Sequence, residues 1–302
     1  MKEPTRKFET EAEWLEARQQ GIGGSDAAAA VGASKWKSPL ELYVEKIGLA
    51  DPETQKANSE IIRWGKRLEE PIREAYEEET GRTVFKHGLH LFVSEDQPFM
   101  MCTLDGSVLK KTDDKVGVFE SKNTGYYRER EILEEVPLEF QIQVQHEMAV
   151  GEWEWASIAI LLNGRKLLWL DIPRNDEFIK AMTAAEKELW DRIQNRNPPP
   201  VSTPFESAGK ALRALHPVDR GGVIELPLEC LAMDRELQRC KDELEEWTAK
   251  KVMFETMIKE KIGDNTVGLL PGGNGAYSFK QQQRREFVSP ATSFRVLRRM
   301  KK

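Results

Sequence analysis

Apolar and polar positions divide the first part of the chain into a series of helices. Their spacing predicts short helices that end near Arg18, Gly32 and Gly48. A polar linker is predicted over residues 51–58, followed by a longer helix over about residues 59–80. The N-terminal region is therefore expected to be helical before any strand begins.

Short alternating segments then predict strands. Two strands, over residues 83–85 and 89–93, precede a hairpin whose arms are residues 100–104 and 116–119. A polar turn over residues 112–114 joins the two arms. This hairpin brings together two segments that are each followed by an acidic residue.

A second hairpin follows a helix that begins after Pro137. Its strands, over residues 155–162 and 166–172, are joined by Asn163-Gly164, a dipeptide that strongly favours a two-residue turn. A helix over about residues 175–195 ends the unit. Helices before, between and after the strands predict an α/β fold with a mixed sheet and helices on its faces.

A proline-rich segment marks a predicted domain boundary. We expect residues 1–200 to form one domain, residues 201–222 an extended linker and residues 223–302 an appendage. The appendage contains one long helix over residues 229–263, whose apolar positions follow a heptad-like spacing that indicates packing or self-association. Those positions are Leu231, Leu237, Leu244, Trp247, Phe254 and Ile258.

The composition fits a water-soluble globular protein, with 39% apolar and 32% charged residues. No segment has the length of a membrane span and the N-terminus lacks a signal-peptide core, so we expect a cytoplasmic protein that binds no membrane. Three scattered cysteines exclude a disulfide framework and a four-cysteine zinc or iron–sulfur site. The four histidines show no metalloprotease pair.

The charge of −6 is unevenly distributed. Between Lys280 and Lys302 there are eight Lys or Arg against one acid, a balance of +7, which leaves the preceding 279 residues at −13. This basic tail is either a solvated terminal helix or an arm that contacts phosphate groups.

The residues most suggestive of chemistry are Asp105 and the sequence Glu120-Ser121-Lys122. Successive side chains of a strand point to opposite faces, so Glu120 and Lys122 share one face. If Asp105 lies beside them, two carboxylates can hold Mg²⁺, and Lys122 can orient a water or stabilise charge on a phosphoryl oxygen. This is the chemistry of phosphodiester hydrolysis. The alternative from these residues alone is a solvated ion pair.

Five segments occur in an order and spacing that are specific to one family: residues 18–27, 65–69, 104–106, 120–122 and 141–146. Between residues 10 and 200 the chain resembles the YqaJ-type viral recombinase family, a relative of phage lambda exonuclease within the PD-(D/E)xK nuclease superfamily. The resemblance implies a restriction-endonuclease-like core, with the C-terminal helical appendage as a departure from the compact lambda enzyme.

The resemblance also implies roles for individual residues. Asp105 and Glu120 hold the metal, which is Mg²⁺ with Mn²⁺ as a substitute, and Lys122 assists catalysis. Glu69 approaches from its helix as an outer carboxylate, and Gln143 comes from the helix that follows the strands. From the residues alone, Glu69 is equally an exposed acid, and Gln143 lines the polar side of an amphipathic helix or reaches inward to a water or phosphate oxygen.

The glycine-rich segment over residues 21–25 is either an ordinary turn, in which Ser25 or Asp26 caps the next helix, or an anion site. Backbone N–H groups at a helix start favour phosphate, and Arg18 can add a bidentate contact. In lambda-like relatives this region grips the 5′-phosphate end of DNA. Arg18 and Ser25 are therefore the candidates for that contact.

By resemblance, the expected activity is that of a magnesium-dependent exonuclease. It resects one strand of linear duplex DNA from the 5′ end and leaves a 3′ single strand for recombination by a partner annealing protein. Relatives form a trimeric ring around DNA, so a homo-oligomer is expected, as is a phage or prophage origin within a bacterial host. The basic tail is expected to contact DNA or the annealing partner.

Other classes of function remain open from the sequence. The same metal site serves structure-specific or restriction-type endonucleases, because the site does not determine whether a DNA end is required. A non-catalytic mediator that binds DNA ends, or an unrelated structural protein with a self-associating helix, is a further alternative. The complete set of Asp105, Glu120 and Lys122 argues against a pure binder, and the scattered cysteines disfavour an iron–sulfur nuclease.

Overall fold

The structure is a computed structural model of the chain and describes residues 3, 5–50, 52–110, 115–125, 132, 135–201, 206–218 and 221–283. The chain divides into two units, Met1–Pro217 and Val218–Lys302. The helices in the described part of the first unit include α1 (Glu11–Arg18), α2 (Gly24–Ala30), α3 (Pro39–Lys46), α4 (Pro52–Thr80), α5 (Leu138–Gly151), α6 (Asp176–Gln194) and α7 (Glu206–Leu215). Its strands are β1 (Arg6–Lys7), β2 (Thr83–Phe85), β3 (His90–Val93), β4 (Met101–Cys102), β5 (Gly106–Leu109), β6 (Val116–Thr124), β7 (Trp155–Leu162) and β8 (Lys166–Pro173).

A five-stranded sheet in the order β2-β5-β6-β7-β8 forms the centre of this unit. Strands β6 and β7 are parallel and are connected through α5, whereas the other neighbouring pairs are antiparallel. A smaller sheet pairs β3 with β1 and β4. The mixed sheet that the sequence predicts is therefore confirmed, and the Asn163-Gly164 turn has the positive φ angles of 52° and 63° that a tight hairpin requires.

Helices cover both faces of the central sheet, as the alternation of buried residues along β6 shows. Phe119 packs with Ile72 and Tyr76 of α4 on one face. Val118 belongs to the larger core on the other face, which includes Ile142 and Met148 of α5. Because Glu120 and Lys122 alternate in step with Val118, they point to the side of α5.

The hairpin prediction was wrong for its first arm. The strand that pairs with β6 is Gly106–Leu109, whereas Met101–Cys102 pairs with β3 in the smaller sheet. Met100 and Leu104 are both buried, so the apolar pattern gave no indication of which sheet each segment joins. The chain passes from one sheet to the other just before Asp105. The predicted turn over residues 112–114 lies outside the described residues.

Two predicted linkers contain helix. The polar segment over residues 51–58 was expected to precede α4, but α4 begins at Pro52, in keeping with the preference of proline for the first helical turn. Within the segment over residues 201–222, α7 buries Ala208 and Ala211 and contacts α3. The first unit therefore continues to Pro217 and does not end at residue 200.

The described part of the second unit contains α8 (Cys230–Ile262) and an antiparallel hairpin of β9 (Val267–Leu269) and β10 (Ala276–Ser278). Apolar side chains of α8 such as Leu244, Trp247 and Phe254 are exposed in this chain. Most of the basic tail, from Arg284 onward, lies outside the described residues. No helix in the described part of the chain combines the length and apolar character that a membrane span requires.

Candidate active site

Strand β6 presents Glu120 and Lys122 side by side. The Lys122 Nζ atom donates a hydrogen bond to Glu120 Oε1 at 2.6 Å, and Glu120 is only 4% exposed. Burial alone would lower the pKa of Lys122, but the negative charges of Glu120 and Asp105 outweigh it and raise that pKa. Lys122 is therefore a positively charged ammonium group held against a buried carboxyl group.

Asp105 lies at the start of β5, next to this pair. Gly106 is paired with Phe119 across the sheet, so Asp105 lies at the level of Glu120. Its Oδ2 atom accepts hydrogen bonds from the backbone N–H of Ser121 at 2.9 Å and from the Ser121 hydroxyl at 2.6 Å. The carboxylate of Asp105 is thus fixed on the strand that carries Glu120 and Lys122.

Gln143 on α5 connects both members of the Glu-x-Lys pair. Its Nε2 group donates to Glu120 Oε1 at 2.7 Å, and its Oε1 atom accepts from Lys122 Nζ at 2.8 Å. The amide nitrogen must face the carboxylate and the amide oxygen must face the ammonium, so these contacts determine the orientation of the side-chain amide. Gln143 therefore holds Lys122 in place.

Glu69 on α4 is partly buried near the same site. Its pKa is raised to about 7, first by burial and then by the charge of Asp105. Burial and Asp105 also raise the pKa of Glu120 to about 7, against the opposing effect of Lys122. Burial and the charge of Asp105 thus disfavour a negative charge on both Glu69 and Glu120, and a bound cation would offset that effect.

The donor set fits a hard divalent cation. No group of three or more ligating His, Cys, Asp or Glu side chains is gathered together within the described residues. Asp105 Oδ1 and Glu120 Oε2, however, accept no hydrogen bond from those residues, which leaves one oxygen of each carboxylate available. A bound cation of this kind would activate a water and stabilise charge on a phosphoryl oxygen.

Arg18 and Ser25 meet at the start of α2. The Arg18 Nη2 atom donates to Ser25 Oγ at 3.2 Å, and the guanidinium lies 4.6 Å from the centre of the Trp14 ring. The expectation that Ser25 or Asp26 caps this helix was wrong: Gly23 is the N-cap, and its N–H donates to Asp26 Oδ2. The exposed hydroxyl of Ser25 therefore remains accessible beside the guanidinium.

A largely buried ion pair between Lys46 and Asp26 stabilises the turn before α2. Lys46 Nζ lies 2.8 Å from Asp26 Oδ2 and donates to the carbonyl oxygen of Arg18 at 3.0 Å. Burial would raise the pKa of Asp26, but Lys46 and Lys37 outweigh it and keep that pKa below its usual value. Lys46 thus fixes both ends of the turn.

Sequence reasoning missed Glu147, which is buried on α5 beside the site. Its Oε1 atom accepts a hydrogen bond from Gln143 Nε2 at 3.0 Å. Burial, followed by the charge of Glu120, raises the pKa of Glu147 well above its usual value. The spacing of four residues between Gln143 and Glu147 places both on one face of the helix, and that spacing was the signal available in the sequence.

His146 and Glu186 form a second polar contact that the sequence did not indicate. The Nδ1 atom of His146 lies 2.9 Å from Glu186 Oε1, and Nε2 lies 3.0 Å from the carbonyl oxygen of Met101. Burial would lower the pKa of His146, but Glu186 outweighs it and raises that pKa. Both ring nitrogens face acceptor oxygens, one of a carboxyl group and one of a backbone carbonyl. The pair fastens α5 to α6 and to the segment that leads to Asp105.

Comparisons with known proteins show what the chain is similar to. Residues 13–154 match the model of the YqaJ-like viral recombinase domain. The chain is 27% identical over 262 residues to the uncharacterized protein YqaJ of Bacillus subtilis strain 168, which covers 85% of this chain and 80% of that protein.

The fold is shared with an alkaline exonuclease from Laribacter hongkongensis, LHK-Exo. Its crystal structure aligns with a TM-score of 0.50 and 21% identity, covering 62% of this chain and 94% of that one. The complex of LHK-Exo with dAMP aligns with a TM-score of 0.50 and 20% identity over the same shares. These alignments confirm the restriction-endonuclease-like fold. The match of residues 13–154 to the YqaJ-like viral recombinase domain agrees with the resemblance that the sequence motifs indicated.

Proposed function

We propose that this protein is a magnesium-dependent exonuclease that digests one strand of linear duplex DNA from its 5′ end. The observation that carries the proposal is the contact of Lys122 with both Glu120 and Gln143, beside the fixed carboxylate of Asp105. The match to the YqaJ-like viral recombinase domain supports a nuclease role in recombination. The direction of digestion and the 3′ single-stranded product are part of the proposal.

Each residue of the site has a role in the proposed reaction. Asp105 and Glu120 hold Mg²⁺, for which Mn²⁺ can substitute, and Glu69 adds an outer carboxylate. Lys122 lies where it can stabilise the negative charge that develops on the phosphoryl group. Gln143 keeps the ammonium in position through its side-chain oxygen.

End recognition is proposed to depend on Arg18 and Ser25. Both side chains offer hydrogen-bond donors at one turn, and Arg18 is suited to bidentate contact with a phosphate. A terminal 5′-phosphate held there would restrict digestion to duplexes with an end. This contact is what separates the exonuclease from an endonuclease with the same metal site.

The proposed activity also implies partners for this protein. The 3′ single strand is a substrate for a single-strand annealing protein, and the basic tail is a candidate contact for DNA or for that protein. The exposed apolar side chains of α8 favour a homo-oligomer, and a trimeric ring is the proposed form. The proposed setting is the cytoplasm of a bacterial host, as a phage or prophage protein.

The test is digestion of matched linear and closed circular duplexes with Mg²⁺, using ends that carry either a 5′-phosphate or a 5′-hydroxyl. We expect the wild type to release nucleotides from 5′-phosphorylated linear DNA only. Lys122→Ala should lower the rate by roughly 100-fold or more, because it removes a charged group next to the reacting phosphoryl. Lys187→Ala, an exposed lysine on α6, serves as the control.

The outcomes separate the candidate functions. Cleavage of the circular duplex would favour an endonuclease on the same scaffold. Binding to DNA ends without digestion, in the wild type and in the presence of Mg²⁺ or Mn²⁺, would favour a non-catalytic mediator. Release of nucleotides from labelled 3′ ends would refute the proposed direction.

A further inference from the structure

We propose that Glu147 is a positioning residue of this nuclease, which orients the Gln143 amide so that Gln143 holds Lys122 against Glu120. The inference rests on the proposed function and adds a residue that lies outside the metal site and outside the Glu-x-Lys pair. The evidence for it is the set of hydrogen bonds made by Gln143, the burial of Glu147 and the closeness of Glu147 to Gly24.

The hydrogen bonds around Gln143 show why Glu147 matters. The amide has two N–H hydrogens, and the structure gives each an acceptor: Glu120 Oε1 at 2.7 Å and Glu147 Oε1 at 3.0 Å. Its oxygen accepts from Lys122 at 2.8 Å. The terminal torsion of a glutamine is otherwise broad, so an amide that loses one of three anchors can rotate. Rotation would release Lys122 from its second partner.

The burial of Glu147 argues against a purely structural role for this side chain. Its side chain is 1% exposed, and its Oε2 atom has no hydrogen-bond partner among the described residues. A buried carboxyl with an unsatisfied oxygen destabilises a protein relative to an apolar side chain of the same size. A residue that weakens the fold but anchors the active-site amide has the character of a functional group.

The position of Glu147 depends on Gly24, at the first residue of α2. A Cβ atom at Gly24 would lie 2.6 Å from Glu147 Oε1, 3.1 Å from its Cγ and 3.2 Å from its Cδ. Any side chain at Gly24 would therefore displace the carboxyl group. Gly24 directly precedes Ser25, so Glu147 lies between the turn proposed to bind the 5′-phosphate and the amide that holds Lys122.

Three variants at position 147 separate a hydrogen-bonding role from packing. Glu147→Gln keeps an acceptor oxygen for Gln143, Glu147→Met keeps the volume without an acceptor, and Glu147→Ala removes both. Using full-length protein, Mg²⁺ and a 5′-phosphorylated linear duplex, we expect kcat to fall about tenfold for the Met variant, with KM nearly unchanged. The Gln variant should stay within about threefold of the wild type.

Comparing stability with kcat distinguishes a positioning role of Glu147 from a structural one. The Met variant should unfold at the same urea concentration as the wild type or a higher one, although its kcat is lower. Wild-type kcat in the Met variant would overturn the proposal. Equal loss in the Gln and Met variants would also overturn it, because the acceptor oxygen would then not be the decisive feature.

Gly24→Ala tests the contact independently of the other variants. Alone, it should lower kcat about tenfold through displacement of Glu147, and it should lower the urea midpoint. In the Glu147→Ala background it should change neither quantity further, because the clashing atoms are gone. Additive losses would refute the contact. If the wild type digests no DNA at all, the proposed function fails, while the urea midpoints of this double-mutant cycle still decide whether Glu147 is held at Gly24.

Discussion

Replacing Glu120 by glutamine removes a buried negative charge from the candidate active site. The substitution therefore tests how much that charge lowers the stability of the folded protein. Burial and the charge of Asp105 raise the pKa of Glu120 to about 7, from an ordinary value of 4.5. The folded state therefore binds this proton more tightly than the unfolded state, and the stability of the wild type falls as pH rises through this window. Glutamine keeps the shape of the protonated acid and carries no charge.

The magnitude follows from the size of the shift. A pKa raised from 4.5 to about 7 corresponds to a penalty of about 3 kcal/mol once both states are ionised. At pH 5 the penalty is only about 1 kcal/mol, because the folded carboxyl group is still protonated. Glu120 is almost fully buried, so solvent screening reduces these values little. We expect Glu120→Gln to raise the free energy of unfolding by about 3 kcal/mol at pH 8.5 and about 1 kcal/mol at pH 5.

The assay is urea unfolding with EDTA at both pH values, together with DNA digestion in Mg²⁺. The variant should be more stable and inactive, and Mg²⁺ should stabilise the wild type but not the variant. Glu188→Gln on the exposed face of α6 is the control and should change stability by less than about 0.5 kcal/mol. A Glu120→Gln protein that is no more stable at pH 8.5, or equally stabilised at both pH values, would refute this reasoning.

Three further predictions follow from other contacts. Glu186→Gln should destabilise the protein by about 3 kcal/mol near pH 6, and by less as pH rises through the raised pKa of His146, as measured by urea unfolding. Arg18→Ala should reduce the preference for 5′-phosphorylated over 5′-hydroxyl ends by about tenfold or more in competition digests. Arg82→Met breaks a bidentate contact with Asp171 and should destabilise by about 2 kcal/mol without changing kcat.

The sequence predicted local features of the site well. The alternation of a strand placed Glu120 and Lys122 on one face, and the structure joins them at 2.6 Å. The helix after Pro137 and the tight turn at Asn163-Gly164 were also predicted. These features depend on residues that are neighbours along the chain, where side-chain periodicity and turn chemistry are sufficient.

Long-range pairing could not be predicted in the same way. The apolar segment around Met101 has the pattern of a buried strand in either sheet, and only its long-range pairing with Val93 decides its place. The contact of His146 with Glu186 joins residues 40 positions apart. Gln145 could have lined the polar side of an amphipathic helix, but it is buried and bonds the backbone at Pro173 and Asn175.

The polar residues of α5 explain how segments distant in sequence become one site. This helix is the crossover between the parallel strands β6 and β7, so the topology places it directly over the strand that carries Glu120 and Lys122. Because α5 is buried on most sides, each polar side chain must find a partner on a different element. Gln143 binds Glu120 on strand β6, Glu147 lies against the start of α2, and His146 contacts Glu186 on α6 and the carbonyl oxygen of Met101. A substitution that removes one of these three contacts should therefore leave the other two unchanged. For this reason the effects of substitutions at Glu147 and at Glu186 should be separable.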